Sequence, residues 1–244
     1  MTDKHNVGDA ISANRGNWSF NEIEHNNFQE HVIKSVPGYS KGHDYITFLS
    51  DYFISSGSTV YDIGCSTGSL IVKLSNYHKR KKDITFLGVE PCSGFNEQFS
   101  KNTSDISFDN HTYEFIEDSV EKFELKKSDL IISYYTLQFI HPRFRQLIVD
   151  KIYSSLNWGG GFFFFEKVRG VDARFHEMIN LAYLEYKQSV GYSDEEIISK
   201  MFSLKGVLEP FSSNENKKFL QRAGFNDISI ISKDLCFEGI LAIK

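Results

Sequence analysis

Short apolar runs alternate with amphipathic stretches from about residue 59 to the end of the chain. Apolar runs bounded by turn residues predict buried strands, and apolar positions three and four apart predict helices between them. The predicted strands are Thr59–Ile63, Ile84–Val89, Tyr113–Ile116, Leu130–Tyr134, Gly161–Glu166, Asn226–Ser232 and Leu235–Ile243. The predicted helices between them are Ser69–Tyr77, Gly94–Asn102, Arg143–Leu156 and Asn214–Ala223. This alternation predicts an α/β protein whose parallel sheet is covered on both faces, with the last two strands as an antiparallel hairpin at its edge.

The segment before the first strand has a different pattern. Residues 1–19 are polar, and we expect them to be loose, at least at the start. Helical patterns follow at Ile23–Val36 and from about His43 to Ile54. Together they predict an N-terminal helical cap within residues 1–56.

A long amphipathic stretch, Asp172–Lys205, interrupts the alternation before the last predicted helix. It predicts two helices, the second of which begins at a capping box formed by Ser193 and Glu196. Because this stretch lies between a strand and the last helix, residues 170–212 are expected to form a lid over the carboxyl ends of the strands. We therefore predict one domain over residues 1–244 that carries a cap and a lid.

The most informative motif lies at the end of the first predicted strand. There an apolar run leads into Asp62, then into Gly64 and Gly68, and a helix follows from Ser69. Glycines let a turn approach a ligand closely, and the helix behind them offers unpaired backbone N–H groups. The form D-x-G-x-x-x-G differs from both the dinucleotide fingerprint and the phosphate loop. It resembles the first motif of the Rossmann-like class I methyltransferases, which bind S-adenosyl-L-methionine (SAM) and release S-adenosylhomocysteine.

Ligands of open parallel sheets bind beyond the carboxyl ends of the strands, near the point where the strand order reverses. The turn residues that we expect to face the amino-acid and sulfonium part of SAM are Gly64, Cys65, Ser66 and Gly68. Asp62 is expected to orient this loop or to reach the ligand ammonium through water. The alternative is that Asp62 only bonds the backbone of its own turn.

Acidic residues also follow the second and third strands. Glu90, followed by Pro91, is expected to accept both ribose hydroxyls, as acidic residues do in dinucleotide folds. Asp118, followed by Ser119, is placed to accept the adenine amino group. The alternatives are a solvent-facing loop acid for Glu90 and the cap of a helix start for Asp118.

The fourth and fifth strands end in residues that could take part in chemistry. Tyr134 and Tyr135 could stack on the ligand or donate a hydrogen bond to it. His141 is a candidate general base because its ordinary pKa lies near neutrality, although a histidine before proline is also typical of a surface loop. Glu166 and Lys167 could form a catalytic pair or a structural ion pair.

The overall charge argues against one class of partner. The formal net charge is −5, whereas binding to nucleic acid depends on basic side chains that neutralise phosphates. The densest basic run, at residues 78–82, is interpreted as a solvated helix end and loop, with a local basic patch as the alternative. We expect a small-molecule acceptor and no direct binding to nucleic acid.

Cysteine usage and hydropathy bear on location. Cys65, Cys92 and Cys236 are widely spaced and form neither a metal-ligand pattern nor a disulfide framework. No apolar segment of a signal peptide follows Met1, and the apolar run Phe162–Phe165 is too short to cross a bilayer. We expect a cytoplasmic protein, in a reducing setting, without a membrane span or a metal ion.

Motifs outside the glycine turn identify a narrower resemblance, which extends from about residue 15 to the C-terminus. They include Asn17-Trp18-Ser19-Phe20, Ser35-Val36-Pro37-Gly38-Tyr39-Ser40, Thr136-Leu137-Gln138-Phe139, Gly191-Tyr192-Ser193 and Ala242-Ile243-Lys244. With them the chain resembles the carboxy-S-adenosyl-L-methionine (carboxy-SAM) synthases. The resemblance implies a homodimer that converts SAM and prephenate into carboxy-SAM, which another enzyme uses to modify a tRNA wobble uridine. The cofactor positions that it implies are Tyr39, Gly64, Cys65, Ser66, Glu90 and Asp118.

The chain departs from this family where the chemistry takes place. The family has an arginine shortly after Gly-Tyr-Ser that grips the extra carboxylate of carboxy-SAM, and Met201 stands there. A thioether cannot replace that charge-assisted pair. Lys200 is adjacent, but on a helix it would point elsewhere. The family asparagine after the fourth strand is Tyr134, and the family aspartate that binds ribose is Glu90.

Three functions are compatible with this pattern. The first is a SAM-dependent methyltransferase of a small apolar or aromatic molecule, held beneath the lid against Tyr134, Tyr135, Met201 and Phe202. The second retains the carboxy-SAM synthase activity, with the missing arginine replaced by Lys200, Arg169 or Arg174. The third is a non-catalytic SAM-binding protein. The departures favour the first.

Overall fold

The computed structural model describes residues 5–9, 11–20, 28–106, 108 and 110–244, and its centre is a seven-stranded sheet. The strands are β1 His5–Asn6, β2 Ser12–Ala13, β3 Thr59–Ile63, β4 Thr85–Val89, β5 Thr112–Ile116, β6 Ser128–Tyr134, β7 Leu156–Lys167, β8 Asp227–Asp234 and β9 Phe237–Ile243. The sheet order is β5-β4-β3-β6-β7-β9-β8, and only β9 pairs antiparallel to its neighbours. The Rossmann-like layout predicted from the sequence is confirmed, including the terminal hairpin.

Helices cover both faces of this sheet. They are α1 Phe28–Ser35, α2 Tyr39–Leu49, α3 Ser69–Tyr77, α4 Asn96–Ser104, α5 Pro142–Ser155, α6 Ala173–Ser189, α7 Asp194–Ser203 and α8 Ser213–Ala223. The predicted capping box is confirmed, since Ser193 and Glu196 exchange both hydrogen bonds at the start of α7. Helix α2 begins earlier than predicted because Gly38, in the left-handed region with φ +73°, ends the preceding turn.

The described residues near the N-terminus pack against the rest of the protein, whereas we expected this segment to be loose. Its start, residues 1–4, lies outside the described residues. Strands β1 and β2 form a small antiparallel hairpin that packs on α7, and the side chains of Val7, Ile11 and Trp18 are buried. The backbone N–H of Trp18 donates to the carbonyl of Ser203 at 3.2 Å. A few spaced apolar residues therefore anchor this polar segment to the lid. The start of the predicted helix Ile23–Val36 lies outside the described residues.

Strand β7 shows why the sheet needs cover on both sides. Phe162 and Phe164 pack into the core under α5 and α8, whereas Phe163 and Phe165 pack into the opposite core with α2 and α3. All four side chains are buried, as alternating residues of a central strand must be. Because β4 and β6 lie on opposite sides of β3, the strand order reverses there and opens a crevice at the carboxyl ends of β3 and β6.

Candidate functional site

A cavity of about 1180 Å³ occupies this crevice. Its floor is the turn after β3 and the ends of β4 and β6, and its roof comes from α1, α2, α6 and α7. Most small-molecule sites measure roughly 300–1,000 Å³, so the cavity has room for a nucleoside and a second small molecule. The lid predicted from the sequence thus faces the carboxyl ends of the strands.

The glycine turn is shaped by the chain around it. Gly64 has φ +74°, and a Cβ atom there would lie 2.3 Å from Oγ1 of Thr136. The N–H of Gly64 donates to the carbonyl of Val89 at 2.7 Å, which ties the turn to the neighbouring strand. Any side chain at this position would therefore force the turn away from β6. The cavity wall includes four of the predicted residues, Asp62, Gly64, Cys65 and Ser66.

Gly68 does not line the cavity, in contrast to our expectation. It has φ +72° and lies behind the turn, where a Cβ atom would come within 2.6 Å of the Phe99 ring. Its N–H donates to the carbonyl of Cys65 at 2.8 Å. Gly68 therefore lets the chain enter α3 from behind the cavity wall.

Two buried carboxylates face the cavity beside the turn. Glu90 accepts hydrogen bonds from the N–H groups of Ser66 at 3.2 Å and Cys92 at 3.0 Å. Burial raises the pKa of Glu90, and burial together with the nearby Glu90 raises the pKa of Asp62 to about 7. Within the described part of the chain, neither carboxylate forms an ion pair with a basic side chain.

These carboxylates suit SAM. Each oxygen of Glu90 accepts one bond from the protein and keeps acceptor capacity for a ribose hydroxyl. Asp62 offers a negative group that a ligand ammonium would satisfy. Pro91 and Ser119 also line the cavity.

Asp118 does not line the cavity, so its predicted contact with adenine is not supported. Its carboxylate turns back and accepts the N–H of Ser119 at 2.7 Å. A short acidic side chain readily forms such a local bond at a turn. No helix begins at Asp118, so the helix cap that the sequence left open as the alternative is not formed either.

The tyrosines after β6 are poor candidates for a general base. The hydroxyl of Tyr134 donates to the backbone carbonyl of Tyr39, and its ring packs against His43 and Phe165. Burial raises the pKa of Tyr134 and of Tyr135 well above the ordinary range. Both line the cavity with Tyr39, but they remain protonated and act as packing surfaces or hydrogen-bond donors.

His141 lies exposed at the edge of the cavity and caps a helix. Its Nδ1 accepts the N–H of Arg143 at 3.3 Å, at the start of α5. Glu166 and Lys167 do not form the ion pair that we considered, because consecutive strand residues point to opposite faces. Burial raises the pKa of Glu166 to about 8, which the charge of Arg145 opposes.

Three lysines line the cavity, Lys167 from the end of β7 and Lys187 and Lys200 from the lid. Nζ of Lys167 lies 4.6 Å from the centre of the Tyr183 ring, and Nζ of Lys187 lies 5.1 Å from the same ring. Nζ of Lys200 lies 2.8 Å from the centre of the Trp18 ring. Lys187 is 5% exposed and Lys200 is 7% exposed. In the described ranges, no carboxylate forms an ion pair with any of the three.

This arrangement leaves positive charge without a negative partner. Burial is the main cause that lowers the pKa of Lys167, of Lys187 to about 8, and of Lys200 well below the usual range. The lysines also repel one another, since Lys167 lowers the pKa of Lys187, and Lys187 lowers that of Lys200. Aromatic faces offset part of the cost of burying an ammonium, but an anion bound between the lysines would offset more of that cost.

The lid presents Lys200, and not Met201, as its inner residue. The two are about 100° apart on α7. The sequence left two possibilities for Lys200, that it points elsewhere than the family arginine or that it replaces this arginine in the pocket. In the structure Lys200 is buried against Trp18, while Met201 is 55% exposed at the cavity wall beside Phe202. Arg169 lines the cavity from an exposed position. The sequence missed Lys187, because a lysine in a polar helix carries no signal that it is buried.

The buried lysines predict a pH-dependent stability in the ligand-free protein. The pKa of Lys187 is lowered to about 8 in the folded state and is about 10.4 in the unfolded state. Between these values the unfolded state binds more protons, so the free energy of unfolding rises with pH from about 8 to about 10. Urea denaturation of Lys187→Met should show a variant more stable than the wild type near pH 7, with the difference shrinking toward pH 10. A difference that stays constant with pH would contradict the charged state assigned to Lys187.

Among the residues that the structure describes, no helix is long and apolar enough to cross a membrane. Within the same residues, no group of three histidine, cysteine or acidic side chains could hold a metal ion.

Sequence comparison relates the chain to known enzymes. Residues 60–160 match the family model of a methyltransferase domain. The carboxy-S-adenosyl-L-methionine synthase of Staphylococcus epidermidis is 36% identical over 235 residues, which are 96% of this chain and 100% of that protein. The synthase of Campylobacter lari is 35% identical over 89% of this chain and 90% of its own. The synthase of an Enterobacter species is 32% identical over 100% of this chain and 98% of its own.

Solved structures of lower identity share the fold. Human N-acetylserotonin methyltransferase in complex with SAM is 18% identical with a TM-score of 0.59, over 90% of this chain and 54% of that one. A cyclopropane synthase from Mycobacterium tuberculosis is 13% identical with a TM-score of 0.57, over 79% of this chain and 63% of that one. These likenesses identify a class I SAM-dependent methyltransferase fold.

Proposed function

This chain belongs to the carboxy-S-adenosyl-L-methionine synthase family and is a SAM-dependent transferase, and from that premise we propose that it makes carboxy-SAM from SAM and prephenate. The observation that carries the proposal is the set of three lysines that face the cavity without a carboxylate partner in the described part of the chain. Prephenate carries two carboxylates. A dianion is therefore a better match to this interior than a neutral acceptor.

In this proposal each half of the cavity binds one of the two ligands. SAM would bind on the floor, against the glycine turn, with its ribose at Glu90 and its ammonium toward Asp62. Prephenate would bind under the lid, with one carboxylate at Lys167 and Lys187, which flank Tyr183, and the other at Lys200. The lysines would then replace the family arginine that is absent at Met201.

The proposed reaction balances without a further reactant. A carbon–carbon bond forms between the methyl carbon of SAM and the carboxyl carbon attached to the prephenate ring, and the bond from that carboxyl to the ring breaks. The ring hydroxyl leaves as water with the hydrogen lost from the methyl group, and the ring becomes aromatic. The products are carboxy-SAM, phenylpyruvate and water. The contribution of the chain is chiefly to hold the two carbon atoms in line and exclude solvent.

A second candidate is methyl transfer to a small molecule, which the sequence favoured. The observation behind it is that Met201 and Phe202, at the cavity wall, offer an apolar surface to an acceptor. It gives the three lysines only the single carboxylate of SAM to bind, unless the acceptor is itself an anion. The third candidate, SAM binding without turnover, also offers them only that carboxylate.

Mass spectrometry of a reaction mixture separates these candidates. Protein incubated with SAM and prephenate should form a product heavier than SAM by one CO2, together with an equal amount of phenylpyruvate. Accumulation of S-adenosylhomocysteine with an added acceptor would favour methyl transfer. SAM that is bound but unchanged in all mixtures would favour the non-catalytic candidate, and either result would overturn carboxy-SAM synthesis.

We also propose that the chain forms the homodimer implied by its family resemblance. Exposed apolar side chains recur at three- and four-residue spacing before and along one face of α6, at Val171, Phe175, Met178 and Leu181. A second copy that pairs through this face would bury them. Light scattering should give the mass of a dimer for the wild type and a smaller mass for Phe175→Glu. A monomeric wild type would contradict the proposal.

A further inference from the structure

A buried hydrogen-bond chain leads from the N-terminal hairpin to Lys200. His31 of α1 lies with its Nδ1 2.7 Å from Oδ2 of Asp9 and its Nε2 3.1 Å from Nζ of Lys200. The hydroxyl of Tyr192 donates to the same oxygen of Asp9. Residues distant in the sequence thus converge on Lys200, the lysine of α7 that lines the cavity.

The chemistry of the chain fixes the direction of its hydrogen bonds. A carboxylate only accepts, so Nδ1 of His31 carries the hydrogen and donates it to Asp9. Nε2 then presents its lone pair, which accepts one hydrogen of the Lys200 ammonium. The other two hydrogens of Lys200 remain available toward Trp18 and the cavity. Burial lowers the pKa of His31 to about 4, and the charges of Lys200 and Lys187 act in the same direction. The imidazole therefore stays neutral at pH 7.

An imidazole between lysine and carboxylate has an advantage over a direct ion pair. A carboxylate in contact with Lys200 would compete with the substrate for the ammonium. Because His31 lies between them, Asp9 does not contact Lys200 directly. Asp9 still attracts the charge of Lys200 but leaves the Lys200 hydrogens that face the cavity unpaired. His31 also restricts the rotation of a flexible side chain, which reduces the entropy lost when the anion binds.

We propose that Asp9 and His31 are positioning residues that orient the Lys200 ammonium toward a carboxylate of the second substrate. The inference rests on the proposed function, because that function gives Lys200 an anion to bind. It assigns the β1–β2 hairpin a role in substrate recognition, since the hairpin carries Asp9 to the site. The charged and titratable groups that face this chain are Lys34 of α1, Lys187 of α6, Tyr192 and, next to Tyr192, Glu196 of α7.

The test compares Asp9→Asn and His31→Leu with Asp44→Asn, which removes the same charge from an exposed ion pair. We expect both site variants to raise the KM for prephenate roughly ten- to a hundredfold, with the KM for SAM unchanged and thermal unfolding still cooperative. His31→Gln, which can place an acceptor near Lys200, should recover part of the loss. Equal KM values in the site variants and in Asp44→Asn would overturn the inference.

A second measurement does not depend on activity. In protein labelled with ¹³C at lysine Cε, an NMR titration reports the pKa of Lys200, assigned through Lys200→Arg. Because Asp9 favours the charged form of Lys200, Asp9→Asn should lower this pKa relative to the wild type. An unchanged pKa would overturn the inference, even if carboxy-SAM is formed. A wild type that forms no carboxy-SAM but shows the shift would overturn the proposed function and leave the hydrogen-bond chain in place.

Discussion

Replacement of Lys200 by methionine should lower kcat/KM for prephenate about a hundredfold or more, which corresponds to roughly 3 kcal/mol. Methionine keeps an unbranched chain of similar length against Trp18, but it removes the ammonium that lies 2.8 Å from the ring centre. A carboxylate bound beneath the lid would then lose a charge-assisted hydrogen bond in a water-poor site, where such bonds are strongest. Steady-state kinetics with prephenate varied at saturating SAM measure the effect.

The matched control for this variant is Lys218→Met, which makes the same change at an exposed ion pair on α8. It should leave kcat/KM within about twofold of the wild type, as exposed pairs contribute little. The dissociation constant of SAM should be the same in all three proteins. If Lys200→Met retains wild-type kinetics toward prephenate, the lysines are not the anion site.

Replacement of Glu90 by glutamine should weaken SAM binding roughly ten- to a hundredfold. The carboxylate accepts the N–H groups of Ser66 and Cys92 and is placed to accept ribose hydroxyls as well. An amide has one acceptor oxygen, and its NH2 group would face a backbone donor on one side. Isothermal titration calorimetry with SAM measures the loss.

Glu97→Gln is the control, since Glu97 is an exposed acid on the nearby α4. It should bind SAM with the affinity of the wild type. Because Glu90→Gln also removes a buried carboxylate from the turn, the melting temperature should be recorded for both variants. A folded Glu90→Gln protein with unchanged SAM affinity would show that Glu90 does not hold the ribose.

The sheet and the cofactor side of the cavity could be predicted from local sequence. Strands β3 and β7 are apolar runs bounded by turn residues, and the turn at Gly64 requires a positive φ that the glycine pattern indicates. Asp118 shows the limit of such local reasoning. Its carboxylate could reach either a ligand or the adjacent backbone, and in the structure it accepts the N–H of Ser119.

The substrate side of the cavity could not be predicted in the same way. Which side of α7 faces inward depends on what packs against it, and the N-terminal hairpin, which we expected to be loose, covers that helix. The approach of Asp9, His31 and Lys200 is therefore a product of tertiary packing and leaves no periodic signal along the chain. The absence of an arginine at Met201 was visible in the sequence, which offered Lys200, Arg169 or Arg174 as its replacement. The sequence did not indicate that Lys167 and Lys187 would line the same cavity as Lys200.

The ligand that copurifies with the protein provides the most direct test of carboxy-SAM synthesis. Protein expressed in cells that contain SAM and prephenate can be denatured after purification, and the released small molecules identified by mass spectrometry. We predict a species heavier than SAM by one CO2 in the wild type, and its loss in Lys200→Met. Release of only SAM or S-adenosylhomocysteine from the wild type would contradict carboxy-SAM synthesis.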